Sequence, residues 1–335
     1  MADRLIDRYD GVICDLDGVV YRGPEPVAHA VEILNGLEQR VVYATNNASR
    51  TPTDVAGHLR DLGIELQVAS VVTSSTAAAA VLARQLEAGA PVLAVGGEGV
   101  GAALAEVGLR PVSPAEAGAG TRVDAVLQGY GPNVCATDLA EVAYAVQAGA
   151  RWVATNADLT LPTERGTAPG NGSLVAAVRA AAGLDPDVIG KPEPPMYQIA
   201  AERLGLEPSQ VLAVGDRLET DIAGAVATGT GGALVLTGVH GWTDAAAAPS
   251  AMRPDHVVPD LRGLLDPYPE RRLREGWWIR GPGAARVGEH GLETSGGGLD
   301  VLRAALDALW AATDEGVLDP SSCREEMTRA ARLAG

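Results

Sequence analysis

The stretch that decides the fold is Val12-Ile13-Cys14-Asp15-Leu16-Asp17-Gly18, an apolar run that ends in two carboxylates. A short apolar run of this kind is typical of a buried strand. Side chains two residues apart on a strand point to the same side, so Asp15 and Asp17 are expected to face one direction. Open α/β sheets bind ligands at the carboxyl ends of their parallel strands. The stretch therefore predicts a paired-carboxylate site, the alternative being an acidic turn that only ends a strand.

Strand and helix patterns alternate outward from this stretch and resume after a long insertion. The predicted strands are Val12–Asp15, Val41–Thr45, Val71–Thr73, Val211–Val214 and Ala233–Leu236. The predicted helices are Pro26–Leu37, Thr53–Leu62, an Ala-rich helix ending at Leu86, Pro195–Leu204 and Thr220–Ala227. Strands that alternate with helices require crossover connections. The sequence therefore predicts an α/β fold with a doubly wound, Rossmann-like parallel sheet.

Two further segments interrupt or follow this core. The insertion is predicted to be an α/β cap with strands at Val92–Val95, Val123–Gln128 and Trp152–Thr155, and helices at Gly99–Val107, Ala136–Ala148 and Gly172–Ala182. Its connection Asp158–Gly170 is expected to be irregular and to face the substrate. The C-terminal segment predicts a β–β–β–α–α module with strands Trp277–Arg280, Ala284–Glu289 and Gly291–Thr294, and helices Leu299–Thr313 and Ser321–Leu333. The predicted domains are a core at 1–82 and 188–267, a cap at 83–187 and an accessory module at 268–335.

Composition limits the partners of the chain. The formal charge is −17, from 43 acidic and 26 basic residues, which disfavours nucleic acid and suits a bound divalent cation. The three cysteines, Cys14, Cys135 and Cys323, show no zinc or disulfide spacing. The first residues do not resemble a signal peptide, and no apolar run is long enough to span a membrane. A cytoplasmic protein without membrane partners is expected.

A second acidic strand end lies in Val214-Gly215-Asp216-Arg217-Leu218-Glu219-Thr220-Asp221. If its strand joins the same sheet, Asp216 reaches a cation held by the first pair. Asp221 lies at the start of the next predicted helix, where the alternative role is an acid that favours the helix dipole. Two acidic strand ends in one sheet are much less common than one.

Two uncharged or basic motifs complete the candidate site. Thr45-Asn46-Asn47 follows a predicted strand, and its hydroxyl, amides and backbone N–H groups are suited to hold phosphate oxygens. The alternative is a polar turn. Gly190-Lys191-Pro192 carries one lysine that is able to neutralise a phosphate or a carboxylate, although most such lysines are ordinary surface residues.

The order of the four motifs resembles that of the haloacid dehalogenase superfamily, and in particular its capped phosphatase branch. That branch includes enzymes similar to p-nitrophenylphosphatase, pyridoxal phosphatase, phosphoglycolate phosphatase and glycerol-3-phosphate phosphatase. The resemblance covers about residues 10–265, and the C-terminal segment lies outside it. Gly18 and Gly215 are supporting positions of the two acidic motifs.

The resemblance implies a Mg²⁺-dependent phosphatase with an aspartyl-phosphate intermediate. Asp15 is then the nucleophile and Asp17 the general acid and base, an acid that the dehalogenases of this fold lack. Mg²⁺ is expected on the Asp15 carboxylate, the Asp17 backbone carbonyl and Asp216. Thr45, Asn46, Asn47 and Lys191 are expected to hold the phosphate, with Asp221 orienting Lys191 or a metal-bound water.

The cap loop suggests the substrate. Relatives similar to pyridoxal phosphatase carry a histidine before the loop proline, whereas Leu161 precedes Pro162 here. A small phosphorylated metabolite is expected, glycerol 3-phosphate first, with phosphoglycolate or pyridoxal 5′-phosphate as alternatives. The loop Gly129–Cys135 departs from the family pattern, which puts specificity and dimerisation in doubt; a homo-oligomer stays open.

Two rival classes remain to be weighed. The glycine-rich Gly96-Gly97-Glu98-Gly99-Val100-Gly101 follows a predicted strand, as in nicotinamide oxidoreductases, but its spacing is not GxGxxG. The C-terminal module is the support for a catalytically weak binding or regulatory protein. Its Ser295-Gly-Gly-Gly-Leu resembles part of an acetyltransferase-like unit. The alternative favoured over this is a module that packs Trp277, Trp278 and Trp310 against the phosphatase or another subunit.

Overall fold

The computed structural model describes residues 4–163 and 165–334. The chain divides into two compact units, the first made of residues 1–40 and 208–335 and the second of residues 41–207. The first unit contains both the start of the predicted core and the C-terminal module. The predicted domain boundaries, after residues 82, 187 and 267, do not coincide with this division, and the three-domain organisation stays a prediction.

Parallel strands lie side by side in the first unit. Their order is His256–Val258, Gly231–Val235, Val211–Gly215 and Gly11–Cys14. Both faces of such strands are covered by other parts of the protein. Consecutive strand residues are therefore apolar, and they do not alternate with polar ones. Val12, Ile13 and Cys14 are accordingly at most 3% exposed. This continuity of apolar residues is what predicted the strands.

Outside the C-terminal module, the described helices of the first unit are short. They are Ala30–Gly36, Ala223–Thr228 and Trp242–Ala246, with 3₁₀ turns at Leu5–Arg8, Pro208–Gln210, Ser250–Met252 and Leu261–Leu264. The prediction of a helix from Pro26 is wrong, because Glu25–Pro26 pairs with Tyr21–Arg22 in a small hairpin. Left-handed His29, with φ of 64°, then separates this hairpin from the helix. Apolar spacing alone does not reveal such a break.

The C-terminal module is an antiparallel sheet backed by two helices. Its strand order is Arg271–Arg274, Trp277–Arg280, Gly283–Gly288 and Gly291–Ser295, and its helices are Gly298–Asp314 and Pro320–Ala334. The prediction of three strands missed Arg271–Arg274, whose residues are all exposed. Arginines on an edge strand discourage pairing with other chains, and they conceal the alternating pattern of a strand.

An apolar cluster joins this module to the parallel strands of the same unit. Leu234 and Val257 of those strands share it with Leu302, Leu306 and Leu309 of the helix Gly298–Asp314, all of them at most 6% exposed. The module is therefore part of the core of the first unit and not a separate appendage.

A buried histidine lies beside this junction. His256 is 6% exposed, and its Nε2 lies 2.7 Å from the Tyr9 hydroxyl oxygen. Burial, followed by the nearby charges of Arg8, Arg280 and Arg303, lowers the pKa of His256 to about 3. The folded protein therefore keeps this imidazole neutral at pH values where an unfolded chain protonates it.

The buried histidine predicts acid sensitivity of the first unit. The unfolded chain binds the proton below about pH 6.5, so the free energy of unfolding should fall by about 2 kcal/mol between pH 7 and pH 5 from this group alone. Urea unfolding of wild type and His256→Gln at both pH values measures the effect, since Gln cannot take up the proton. His290→Gln, at an exposed position, is the control; equal pH dependence of wild type and His256→Gln would contradict the prediction.

The second unit contains two sets of parallel strands. Arg40–Thr45 pairs with Val71–Thr73, and a five-stranded sheet has the order Asp187–Val188, Arg151–Ala154, Ala125–Gln128, Pro91–Val95 and Arg110–Val112. The helices are Pro52–Asp61, Ser74–Ala83, Glu98–Glu106, Pro114–Gly118, Ala136–Gln147, Asn171–Ala182 and Pro194–Leu204, with a 3₁₀ turn at Val68–Ser70. The predicted α/β class with parallel sheets is confirmed in both units.

The connection that was expected to be irregular contains a hairpin. Thr160–Thr163 pairs with Gly166–Pro169 in an antiparallel ribbon, so the prediction of an irregular loop is wrong. Proline argues against a central strand but is tolerated in a two-stranded ribbon, where each strand keeps one open edge. Within residues 4–163 and 165–334, no helix is long and apolar enough to cross a membrane.

Candidate active site

Three carboxylates converge in the first unit. Oxygen atoms of Asp15, Asp216 and Asp221 all lie within 4.8 Å of one another. Asp15 follows the strand Gly11–Cys14, and Asp216 follows the neighbouring parallel strand Val211–Gly215. The Asp15 N–H donates to the Val214 carbonyl at 2.9 Å. The backbone hydrogen bonding between these two strands therefore continues as far as Asp15. The structure thus brings the first acidic motif to the second.

Close backbone contacts hold the Asp216 carboxylate. Its Oδ2 accepts the N–H of Val239 at 2.7 Å. A Cβ atom added to Gly238 would lie 1.9 Å from that oxygen, and one added to Gly18 would lie 2.4 Å away. Gly18 also has φ of 84°, a conformation that side chains with a Cβ disfavour. Glycine is therefore required at both positions for Asp216 to lie where it does.

Asp221 reaches the cluster from a turn of π-helix. The segment Leu218–Ile222 has this wider winding, and the α-helix begins only at Ala223, so the prediction of one helix over Thr220–Ala227 is wrong at its start. The Arg217 N–H donates to Asp221 Oδ2 at 3.1 Å. Gly215 leaves the space for this side chain, because an added Cβ would lie 2.2 Å from the Cβ of Asp221. Single π turns are frequent at functional sites.

The carboxylate cluster fits a divalent cation. Asp216 and Asp221 are 1% and 3% exposed, so water screens their mutual repulsion poorly. Mg²⁺ prefers such oxygen ligands. The Asp221 carboxylate, predicted only as a support, lies with the two predicted carboxylate ligands Asp15 and Asp216. The Asp17 backbone carbonyl stays a predicted ligand.

Asp17 has a different environment from the cluster. It is exposed, and the Tyr21 hydroxyl oxygen lies 3.5 Å from its Oδ2. Its backbone bridges to Tyr21 of the hairpin that follows the motif. An exposed carboxyl close to a buried carboxylate cluster is able to exchange protons with solvent, which suits an acid and base.

The second unit carries the predicted phosphate-binding motif. Thr45 is 3% exposed, and its hydroxyl accepts the Asn47 N–H at 3.1 Å. Asn47 is exposed, and its Oδ1 accepts the Ser49 N–H at 3.0 Å. These bonds order the turn after Arg40–Thr45.

Asn46 and Lys191 lie together in the same unit. Lys191 is 5% exposed, and its Nζ donates to the Ala44 carbonyl at 3.2 Å. The Asn46 amide bonds to the Lys191 backbone and lies beside the carboxylate of Asp158. The sequence predicted that Asn46 and Lys191 both bind the phosphate. It did not predict the contact between them or the contact with Asp158.

The predicted site residues therefore form two groups. Asp15, Asp17, Gly18, Gly215, Asp216 and Asp221 belong to the first unit, whereas Thr45, Asn46, Asn47 and Lys191 belong to the second. That both groups act on one phosphate stays a prediction.

The loop at 237–240, which no sequence motif indicated, supports the first group. The Thr237 hydroxyl donates to the Gly18 carbonyl at 2.7 Å, and the His240 N–H donates to the Asp216 carbonyl at 3.1 Å. His240 Nδ1 accepts the Leu218 N–H at 3.1 Å. This loop directly follows the strand Gly231–Val235, at the same edge of the sheet as Asp216. That position is the sequence feature from which its role could have been predicted.

The glycine-rich stretch of the oxidoreductase alternative has a packing role. An added Cβ at Gly97 would lie 2.6 Å from the Ser49 carbonyl oxygen, and at Gly99 it would lie 2.4 Å from that of Arg50. These glycines allow the backbone after the Thr45 motif to approach closely. Their presence needs no dinucleotide.

Two family models match the chain. One, described as haloacid dehalogenase-like hydrolase, matches residues 12–110, and a second, described as HAD-hydrolase-like, matches residues 188–264. The two matches contain both acidic motifs, the Thr45 motif and Lys191. They omit most of the predicted cap and the C-terminal module.

Individual relatives extend the similarity. D-glycerol 3-phosphate phosphatase of Mycobacterium tuberculosis is 44% identical over 92% of this chain and 88% of its own length. The glycerol phosphate phosphatase structure from the same organism, solved in complex with magnesium, superposes with a TM-score of 0.83 at 42% identity over 93% of each chain. Acid sugar phosphatase of Staphylococcus haemolyticus is 38% identical over 69% of this chain and 86% of its own length. The first two matches extend into the C-terminal module, beyond the range of the sequence resemblance. The chain belongs to the haloacid dehalogenase-like hydrolases, in their capped phosphatase branch.

Proposed function

We propose that this chain is a Mg²⁺-dependent phosphatase that hydrolyses glycerol 3-phosphate through an aspartyl-phosphate, an acyl phosphate formed on Asp15. The observation that carries the proposal is the cluster of Asp15, Asp216 and Asp221 at the ends of two neighbouring parallel strands. The phosphatase relatives, one of them crystallised with magnesium, support it.

The proposed reaction has two steps on Asp15. A carboxylate oxygen of Asp15 attacks phosphorus while the bond from phosphorus to the glycerol oxygen breaks, and Asp17 donates a proton to that oxygen. Asp17 then accepts a proton from the water that attacks the phosphorylated Asp15, which releases inorganic phosphate and restores both residues. Bound Mg²⁺, held by Asp15, Asp216 and Asp221, would supply positive charge beside the phosphate. Lys191 and the Thr45 turn are assigned to neutralise and orient the phosphate oxygens.

The substrate proposal rests on the hairpin after Asp158. Leu161 lies on the strand Thr160–Thr163, is partly buried, and provides no polar or aromatic partner for a pyridine ring. A short aliphatic alcohol is therefore favoured over pyridoxal. The similarity to a D-glycerol 3-phosphate phosphatase ranks glycerol 3-phosphate above phosphoglycolate.

Phosphate release from three esters tests this function. Purified protein with Mg²⁺ should give a kcat/KM for glycerol 3-phosphate at least tenfold above those for phosphoglycolate and pyridoxal 5′-phosphate. EDTA should abolish release, and Asp15→Asn protein purified in parallel controls for contaminating phosphatases. A preference for another ester would overturn the substrate, and folded protein without turnover on any ester would favour the binding-protein alternative.

Asp17→Asn is expected to separate the two steps. Turnover of glycerol 3-phosphate should fall by about 10²- to 10⁴-fold, because the alkoxide leaving group needs a proton. p-Nitrophenolate leaves without one, so Asp15 should still become phosphorylated by p-nitrophenyl phosphate and then lack the base for hydrolysis. Mass spectrometry of acid-quenched protein should show the added mass of one phosphoryl group. The same mass increase in a variant that also carries Asp15→Asn would assign the phosphate to another residue.

A further inference from the structure

The side chain of Asn46 closes a pair of hydrogen bonds with the backbone of Lys191. The Lys191 N–H donates to Asn46 Oδ1 at 2.8 Å, and Asn46 Nδ2 donates to the Lys191 carbonyl at 3.0 Å. A primary amide has one acceptor oxygen and two N–H donors, so this pair uses the oxygen and one hydrogen. The backbone from which the lysine side chain extends is thereby fixed to the residue that follows Thr45.

The second hydrogen of the amide faces a carboxylate. Asn46 Nδ2 lies 3.3 Å and 3.5 Å from the two carboxylate oxygens of Asp158. With this contact both N–H donors of the Asn46 side chain are engaged within the protein. The expectation that this amide holds phosphate oxygens therefore does not match its surroundings.

Asp158 is itself tied back to Asn46. Its N–H donates to Asn156 Oδ1 at 3.2 Å, and Asn156 Nδ2 donates to the Asn46 carbonyl at 2.8 Å. Asn156 is 4% exposed, so these bonds are largely shielded from competing water. Two residues beyond Asp158 the chain enters the hairpin that carries Leu161. The segment that leads into the hairpin and the lysine thus contact the same asparagine.

Close packing fixes the position of this asparagine. A Cβ added to Gly190 would lie 2.7 Å from Asn46 Oδ1 and 2.4 Å from the Thr155 carbonyl oxygen. The Ser74 hydroxyl donates to the Asn46 carbonyl at 2.7 Å. The glycine before Lys191 is therefore what allows the reciprocal pair to form.

We propose that Asn46 is a positioning residue that holds Lys191 and links it, through Asp158, to the hairpin of the second unit. The proposal rests on the proposed function, in which Lys191 neutralises the phosphate. Asn46 then contributes to kcat by placing the lysine charge, whereas a phosphate ligand would also contribute to substrate affinity.

A charge swap tests the proposal. Asn46→Asp keeps the acceptor for the Lys191 N–H, but it replaces the donor with a second carboxylate oxygen that faces both Asp158 and the Lys191 carbonyl. We expect kcat to fall by about 10- to 100-fold with KM within threefold of wild type, since hydrogen bonds to charged groups have this magnitude. Adding Asp158→Asn restores a donor to the contact and should recover kcat to within about tenfold of wild type.

The neighbouring asparagine provides the matched control. Asn47→Asp places the same charge one residue away on an exposed side chain, and its effect should not change when Asp158→Asn is added. A rise in KM for Asn46→Asp that Asp158→Asn does not reverse would assign Asn46 to the phosphate and overturn the proposal. A fall in kcat without rescue would also overturn it, because the link through Asp158 would then be absent.

Two further readouts separate this proposal from the choice of substrate. The same four variants, together with Asp158→Asn alone, are assayed with p-nitrophenyl phosphate, which does not require recognition of glycerol. Rescue there, with no activity on glycerol 3-phosphate, would overturn the proposed substrate and keep the inference. Melting temperatures of the variants test the contact without catalysis: the double variant should be more stable than the two single changes predict by addition, and strict additivity would exclude the contact.

Discussion

Asp15→Asn should lower turnover by about 10⁴-fold or more while the protein remains folded. The amide is no longer a nucleophile toward phosphorus, and knockouts of residues that form the covalent intermediate have effects of this size. The fold should tolerate the change, because the backbone bond from Asp15 to Val214 is kept and one charge leaves a cluster of three carboxylates. Phosphate release and the melting temperature, measured on the same sample, check both expectations.

The matched control is Asp10→Asn, at the residue directly before the same strand. Asp10 precedes Gly11–Cys14 and accepts a hydrogen bond from the Gln210 side chain at 2.8 Å, at the end of the strand opposite Asp15. Its replacement should leave turnover within about twofold of wild type. Activity of Asp15→Asn within tenfold of wild type would remove Asp15 as the nucleophile. Loss of activity in both variants would point to a general effect of charge in this strand.

The acidic half of the site was predictable because local pattern and topology agree. An apolar run directly before Asp15 and another before Asp216 predict two buried strands, and parallel strands end at the same edge of a sheet. Proximity of the two carboxylates follows without any knowledge of side-chain packing. The structure adds Asp221, whose approach depends on a π turn, and no simple periodicity reveals that turn.

The role of Asn46 was not predictable in the same way. A polar residue after a strand is equally compatible with a phosphate ligand, a turn and a structural contact. Its partners Asp158 and Lys191 are 112 and 145 residues away in the chain. The sequence contains no local signal that pairs them, so only the three-dimensional arrangement assigns the hydrogen bonds of the amide.

Packing of the C-terminal module against the phosphatase or another subunit was one of the predicted alternatives, but the sequence did not identify the surface that it covers. The pattern of the helix Gly298–Asp314 shows that it has an apolar face but does not say what covers that face. The structure shows that its cover includes Leu234 and Val257 of the parallel strands. A change of composition near Tyr268 suggested a boundary, whereas the packing continues across it.

Deletion of residues 268–335 is therefore expected to prevent folding of the first unit, and not only to lower its solubility. The deletion removes the Tyr268 hydroxyl that accepts the Val257 N–H at 3.0 Å and the Trp310 indole that donates to the Ala245 carbonyl at 2.8 Å. It also exposes the apolar cluster that Leu234 and Val257 share with the module. The loss of several large apolar contacts, each worth about 2 to 5 kcal/mol, exceeds the stability of an ordinary domain. Expression followed by circular dichroism and urea unfolding tests this expectation.

A graded pair of point variants keeps the prediction testable when the truncated chain yields no protein. Trp310→Ala, in the full chain, should lower the free energy of unfolding by about 3 to 5 kcal/mol, because it empties part of the shared cluster and leaves the Ala245 carbonyl without its indole donor. Leu273→Ala on the exposed edge strand should change it by less than about 0.5 kcal/mol, since Leu273 is 61% exposed. A truncated protein with wild-type melting and kinetics, or a Trp310→Ala variant as stable as Leu273→Ala, would show that the module is dispensable for the fold. If Trp310→Ala destabilises the protein far more than Leu273→Ala does, the module is required for the fold of the unit that carries Asp15 and Asp216.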